Sequence, residues 1–147
     1  MPGIIVGADG SGHSQRALEW AMKEAAIRRA PLTVLTVHQA VHGWSGAEYF
    51  PEDATLTEKA RAGAQAEVDK VLAGLGDSRP ESVTVNAVHG FPVEELVKAS
   101  VDADLLVVGQ KGTSRFARTV MGSVAFQVAQ HAHCPVTIIP PEHAHQA

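Results

Sequence analysis

Five short apolar runs, separated by longer stretches with helical periodicity, constrain the fold of this chain more than any other feature. The runs are rich in β-branched residues, which is typical of buried strands. They occupy residues 3–8, 32–38, 82–88, 105–108 and 135–139. Between them, apolar residues recur at intervals of three and four, the spacing of one helix face. This alternation predicts an α/β fold: a doubly wound, five-stranded parallel sheet with helices on both faces.

The helical segments follow the strands at regular intervals. Four helices are predicted: one capped by Ser11 or Ser14, one over roughly 55–75, one over about 93–101, and one that begins at Gly122 and Ser123. Residues 39–54 match neither period and contain the aromatic side chains of Trp44, Tyr49 and Phe50. Loops of this length in compact domains are functional or disordered. We therefore expect this segment to be a lid over a ligand, a surface for a partner, or an anchor on the core.

Size and composition limit the class of protein. The chain has 147 residues, of which 45% are hydrophobic and 19% charged, so intrinsic disorder is excluded. The net charge of −4 argues against a nucleic-acid partner. No apolar run approaches the roughly 18 residues of a membrane span, and the amino terminus lacks the pattern of a secretory signal. We expect a single cytoplasmic domain over residues 1–147, with a flexible tail from about 141 and no membrane partner.

The segment after the fourth predicted strand has the composition of an anion-binding loop. Gly109 and Gly112 bracket a tight turn, where a missing Cβ lets the backbone adopt a positive φ and approach a ligand closely. Nine residues then separate Gly112 from Gly122 and Ser123, which stand where the last helix begins. The N–H groups at a helix start form a phosphate site.

Positive charge in this acidic chain concentrates in the same loop. No acidic residue lies between Asp104 and Glu142, whereas Lys111, Arg115 and Arg118 lie within the loop. This distribution suits an anionic ligand; the alternative is that these are solvated cations beside ordinary turn glycines. No Walker A motif occurs, and the glycines of the first turn do not have the G-x-G-x-x-G spacing.

The motif G-x-x-G-x9-G-S, together with IIVGADGS near the start and HCPVTIIP near the end, resembles the universal stress protein family. The resemblance covers essentially the whole chain. It implies the sheet order 3-2-1-4-5, in which Asp9 and Gly109 face each other across the switch point between the first and fourth strands. It also implies ATP binding, because members that carry the glycine motif bind ATP and members that lack it generally do not.

The resemblance also assigns roles position by position. Gly7, Ala8 and Asp9 match the turn that contacts the adenosine, and Val37 matches the position whose backbone binds the adenine edge. The ribose and phosphate loop and the phosphate-binding helix start correspond to Gly109, Gln110, Lys111, Gly112, Thr113, Ser114, Arg115, Gly122, Ser123 and Val124. ATP is the implied cofactor, and Mg²⁺ bound through its phosphates is compatible with such a site.

The implied function is that of an ATP-binding regulatory protein of the stress response, which acts through nucleotide-dependent conformation or partner binding. A slow ATPase and a nucleotide-free interaction scaffold are the alternatives. No general base is arranged with a nucleophile in the sequence, so no catalytic residue is predicted. His131, His133 and Cys134 form at most an incomplete ligand set; no metal site is predicted there, and Cys134 is expected to be buried and inert.

The last predicted strand, residues 135–139, should lie at an edge of the sheet. It is uncharged and has Pro135 and Pro140 at its ends. Edge strands of this kind need to be covered, because they expose unpaired N–H and C=O groups. We therefore expect a homodimer formed through this strand, in addition to a protein partner that the sequence does not identify.

Overall fold

Strands and helices alternate along the part of the chain that the computed structural model describes, which comprises residues 3–9, 14–39, 54–110 and 122–141. The five strands are β1 (Ile4–Ala8), β2 (Leu32–Gln39), β3 (Val83–Gly90), β4 (Leu105–Gly109) and β5 (Val136–Ile139). The four helices are α1 (Ser14–Arg28), α2 (Ala54–Ala73), α3 (Pro92–Ser100) and α4 (Ser123–His131). A short 3-10 turn, Gly76–Ser78, follows α2.

The strands form one parallel sheet in the order β3-β2-β1-β4-β5. This order confirms the predicted fold class and the predicted strand order. The interior strand β4 is buried along Leu105–Val108, as expected of a strand covered on both faces. β3 and β5 lie at the two edges of the sheet.

Each face of the sheet carries its own hydrophobic cluster. On one face, Ile4 and Val6 of β1 pack with Leu18 and Met22 of α1 and with Val68 of α2. On the other face, side chains of β2 and β4 pack with α3 and α4, among them Leu35, Leu106, Leu96 and Val128. Because side chains alternate along a strand, β4 contributes to both clusters. The chain therefore changes face between α2 and α3.

Several element ends differ from the sequence prediction. β2 and β3 are each longer than predicted, because their pairing continues to Gln39 and Gly90. β5 begins at Val136, since Pro135 has no N–H and takes part in the ladder only through its carbonyl, which accepts from Leu106 N at 3.0 Å. Ser14 is the first residue of α1 and hence not its cap.

Some predictions concern residues outside the described part of the chain. These are Ser11, most of the 39–54 segment with its three aromatic residues, and nearly all of the tail expected from about residue 141. Among the described helices, none is both long and apolar enough to cross a membrane.

Candidate functional site

The sheet opens between β1 and β4 at their carboxyl ends. The ladder between these two strands runs from Ile4–Leu105 to Val6–Val107 within the described residues. Both strands continue beyond it with their outer neighbours, since Ala8 pairs with Thr36 and Gly109 pairs with Ile139. The helices that follow β1 and β4 pack on opposite faces of the sheet. This is the switch point at which doubly wound folds bind ligands.

The last two residues of β1 and Asp9, which follows the strand, lie at this opening in three different environments. Ala8 is buried in the cluster shared with α1, whereas Asp9 is exposed at the end of the strand. Gly7 lies against α3: a Cβ atom built on it would be 3.2 Å from Cδ2 of Leu96. Close packing of a helix on the strand is therefore sufficient to account for glycine at this position.

The described ends of the glycine loop meet beside the opening. Gln110 follows β4, and its N–H donates to the carbonyl of Ile139 at 2.7 Å. The carbonyl of Gln110 then accepts from the N–H of Gly122 at 2.7 Å. Gln110 and Gly122 thus lie side by side where β4 ends. The predicted site residues Lys111, Gly112, Thr113, Ser114 and Arg115 lie outside the described residues.

The start of α4 therefore lies beside the end of β4. Gly122 is the N-cap residue with φ −63° and ψ 155°, and its carbonyl accepts from Phe126 N at 3.0 Å. Ser123 is exposed, whereas Val124 is partly buried against the α3–α4 cluster. N–H groups in the first turn of a helix have no partner within the helix. Those of Ser123 and Val124 therefore suit an anion better than that of Gly122, which donates to Gln110.

The positive φ expected at Gly109 is wrong, and that expected at Gly112 concerns a residue outside the described part of the chain. Gly122 has an ordinary extended conformation, and Gly109 belongs to β4 and pairs with Ile139. Among the described glycines, Gly76 alone has a positive φ, of 55°. At Gly109 and Gly122, glycine would instead be required because it has no side chain to block the close approach of a ligand.

Val37 reaches the same edge from the next strand. It follows Thr36, the partner of Ala8, and pairs with Val88 of β3. Its side chain is partly buried against the α3–α4 cluster. The backbone of Val37 thus lies one residue beyond the last paired position of β1.

One contact near this edge has no counterpart in the sequence prediction. Ser14 Oγ, at the start of α1, donates to Oε1 of Glu67 on α2 at 3.3 Å. Burial raises the pKa of the Glu67 carboxyl; the hydrogen bond from Ser14 opposes this shift, and the charge of Asp9 adds to it. No periodicity or motif marks Glu67, because its neighbours come from elements distant in sequence.

Of the carboxyl-terminal histidines and the cysteine, the structure describes His131, His133 and Cys134. His131 and His133 are exposed, and the backbone N–H of His133 donates to Ser100 Oγ at 2.9 Å. Cys134 is half-buried rather than fully buried, and burial raises the pKa of its thiol. In the described ranges, no group of three or more His, Cys, Asp or Glu residues is placed to hold a metal ion.

Comparison with known protein families and solved structures identifies relatives of this chain. The sequence model of the "Universal stress protein family" matches residues 2–140 of the chain. The chain belongs to the universal stress protein family. A universal stress protein of Mycobacterium tuberculosis is 34% identical over 140 residues, which make up 93% of this chain and 47% of that protein. The chain spans about half the length of the curated relatives it matches.

Solved universal stress proteins share the fold over nearly their whole length. One, solved in complex with cAMP, is 30% identical with a TM-score of 0.66, covering 95% of this chain and 96% of that chain. Another, from Archaeoglobus fulgidus and in complex with dAMP, is 26% identical with a TM-score of 0.59, covering 95% of this chain and 97% of that chain.

Proposed function

We propose that this universal stress protein binds ATP in the opening between β1 and β4 and acts as a nucleotide-dependent regulator in the stress response. Family membership and the relatives solved with cAMP and dAMP support an adenine nucleotide as the ligand. The adenosine would contact Gly7, Ala8, Asp9 and Val37. The phosphates would lie at the glycine loop and the start of α4.

One observation carries this proposal: the two described ends of the glycine loop, Gln110 and Gly122, are hydrogen-bonded to each other where β4 ends. The 2.7 Å hydrogen bond from Gly122 to Gln110 places the first turn of α4 directly beside the end of β4. The first-turn N–H groups and the positive end of the helix dipole favour a negative charge there. Each hydrogen bond to a charged group contributes about 1.5–3 kcal/mol. A few of them account for micromolar binding, about −8 kcal/mol.

A triphosphate is proposed over a monophosphate because of charge. Lys111, Arg115 and Arg118 lie in the loop segment, whereas no acidic residue occurs between Asp104 and Glu142. Three phosphates can form ion pairs with more of these cations than the single phosphate of cAMP or dAMP can. Mg²⁺ would enter with the phosphates.

Two measurements on the purified full chain test the proposal. The first is to denature the protein and chromatograph what it releases, with ATP or ADP expected. The second is to titrate nucleotide-free protein calorimetrically with ATP, with and without Mg²⁺, and with cAMP and AMP. We expect ATP to bind more tightly than either monophosphate. A released flavin, or an affinity for cAMP equal to or above that for ATP, would contradict the proposal.

A further inference from the structure

Two histidines face each other at the carboxyl ends of β2 and β3. His38 and His89 are partners in the parallel ladder, one residue before its last pair. Their ring centroids lie 5.0 Å apart, with 44° between the ring planes. Both are partly buried, and α2 packs over these two strands. No local pattern in the sequence marks this pair, since 51 positions separate the two residues.

Thr57, in the first turn of α2, contacts one of these rings. Its Oγ1 lies 2.9 Å from Nε2 of His38. In the tautomer in which Nε2–H donates to this hydroxyl, Nδ1 of His38 carries a free lone pair. Metal-binding histidines usually donate their other ring N–H to an acceptor that fixes the ring, most often a carboxylate, a backbone carbonyl or water, and the Thr57 hydroxyl would take that part here. Among the described residues, no hydrogen bond to the His89 ring is found. Within that part of the chain, the ring nitrogens of His89 are therefore available to bind a metal ion.

We propose that His38 and His89 bind one divalent transition-metal ion, with Thr57 positioning the His38 ring. Two imidazoles that share an ion at about 2.0–2.1 Å per nitrogen, in tetrahedral geometry, have ring centroids roughly 5 Å apart. The observed separation of the two ring centroids, 5.0 Å, is of this size. Imidazole nitrogen selects Cu²⁺, Ni²⁺ and Zn²⁺ over Mg²⁺ and Ca²⁺. Water would complete the coordination, since the described part of the chain offers no third His, Cys, Asp or Glu at this place.

The position of the His38–His89 pair indicates how a bound ion would affect the stability of the fold. His38 lies near the end of β2 and Thr57 near the start of α2, so they flank the connection between these two elements. The ion would tie β2 to β3 directly and to α2 through the Thr57 hydroxyl. Metal binding is therefore expected to raise the thermal midpoint of unfolding, because it stabilises only the folded state.

Calorimetric titration of the chelator-treated full chain with ZnCl₂ and with NiCl₂ tests the proposal. We expect one ion per chain, and at least a tenfold loss of affinity in His38→Gln and in His89→Gln. Thr57→Val keeps both imidazoles but removes the hydroxyl that holds the His38 ring, so it is expected to weaken binding by about tenfold. Thr57→Ser should restore the affinity. His131→Gln, at an exposed position on α4, is the matched control and should bind as the unmodified chain does.

Spectroscopy separates metal binding from a folding defect. Circular dichroism should show that each variant is folded, and proton NMR of the unmodified chain should show two histidine ring signals shifting up to one equivalent of Zn²⁺. The proposal is overturned if no ion binds, if binding survives in a folded His89→Gln variant, or if it is lost only when the tail residues His143 and His145 are replaced. A Thr57→Val affinity equal to that of the unmodified chain would overturn the positioning role.

Discussion

At Gly7, a Cβ atom would lie 3.2 Å from Cδ2 of Leu96, so a larger residue would require the buried Leu96 side chain to shift. Gly122 differs, because its φ of −63° and ψ of 155° are ordinary for any amino acid. Substitution at Gly122 should therefore leave the backbone of α4 in place. This residue offers the cleaner test of the proposed phosphate site.

Gly122→Glu is expected to abolish ATP binding while the protein stays folded. The new carboxylate would stand at the start of α4, where it would occupy the proposed anion site with the charge that repels phosphate. Calorimetric titration with ATP measures the loss, and circular dichroism checks the fold. Gly63→Glu is the matched control, because a Cβ at Gly63 on α2 meets nothing within 4 Å. A folded Gly122→Glu variant with unchanged affinity would show that phosphate does not bind there.

Asp9→Ala is expected to weaken ATP binding by about 1.5–3 kcal/mol, the contribution of one hydrogen bond to a charged group. The loss should be smaller than that of Gly122→Glu, since the proposed phosphate contacts survive. Titration of both variants under one set of conditions gives the comparison, with Asp102→Ala as a control at another exposed aspartate. If Asp9→Ala and the unmodified chain bind ATP equally well, Asp9 does not contact the nucleotide and is only a turn residue.

Among the elements, α1 and α2 are joined near the candidate site by a polar contact. The hydrogen bond from Ser14 to Glu67 spans 53 positions of sequence and links the first turn of α1 to the middle of α2. The carboxyl is partly buried there, and burial raises its pKa. The folded protein therefore holds the Glu67 proton more tightly than the unfolded chain does.

The pH dependence of stability follows from this shift. Stabilisation from the protonated Glu67 is complete below the ordinary pKa of 4.5 and is lost as the pH rises through the raised value. Glu67→Gln keeps an oxygen that can accept from Ser14 and carries no charge. It should raise the stability at neutral pH by less than about 1 kcal/mol, since the carboxyl is partly solvated. The difference should vanish in acid.

Thermal melts at neutral and acidic pH measure the Glu67 effect. Glu81→Gln removes one negative charge from an exposed position and serves as the control for net charge. A Glu67→Gln variant that is less stable than the unmodified chain at neutral pH would show that the ionised carboxylate is needed for the contact with Ser14.

For the whole molecule, the sheet order leaves β5 at an edge. Val136, Thr137 and Ile138 are only partly buried within one chain, and the strand carries no charge. Its outer N–H and C=O groups can pair with an identical strand across a two-fold axis, which closes the assembly as a dimer.

We therefore predict a homodimer, which Ile138→Asp or Ile138→Lys disrupts by placing a charge in the strand interface. Light scattering at micromolar concentration measures the mass, and circular dichroism confirms that the variants are folded. Ile27→Asp makes the same chemical change on α1, where Ile27 is 77% exposed, and should remain dimeric. The mass of one chain for the unmodified protein, or a fully dimeric Ile138→Asp variant, would contradict the prediction.

Sequence patterns by themselves determined the alternation of elements, the parallel sheet and the place of the glycine loop. These features follow from hydrophobic periodicity and from glycine spacing, which are local properties of the chain. The strand order came from the family resemblance carried by three short motifs, and the structure confirms it. Element ends were less predictable, because strand pairing extends β2 and β3 beyond their apolar runs.

Only the tertiary structure decided which distant residues meet. The opening between β1 and β4 depends on where their ladder ends, and no local pattern encodes that point. The same holds for the contact of Ser14 with Glu67 and for the facing rings of His38 and His89. Each of these pairs is formed by strand register or by helix packing across more than 50 positions. The physical reason is that register and packing minimise the free energy of the whole chain, whereas a sequence window contains only neighbours.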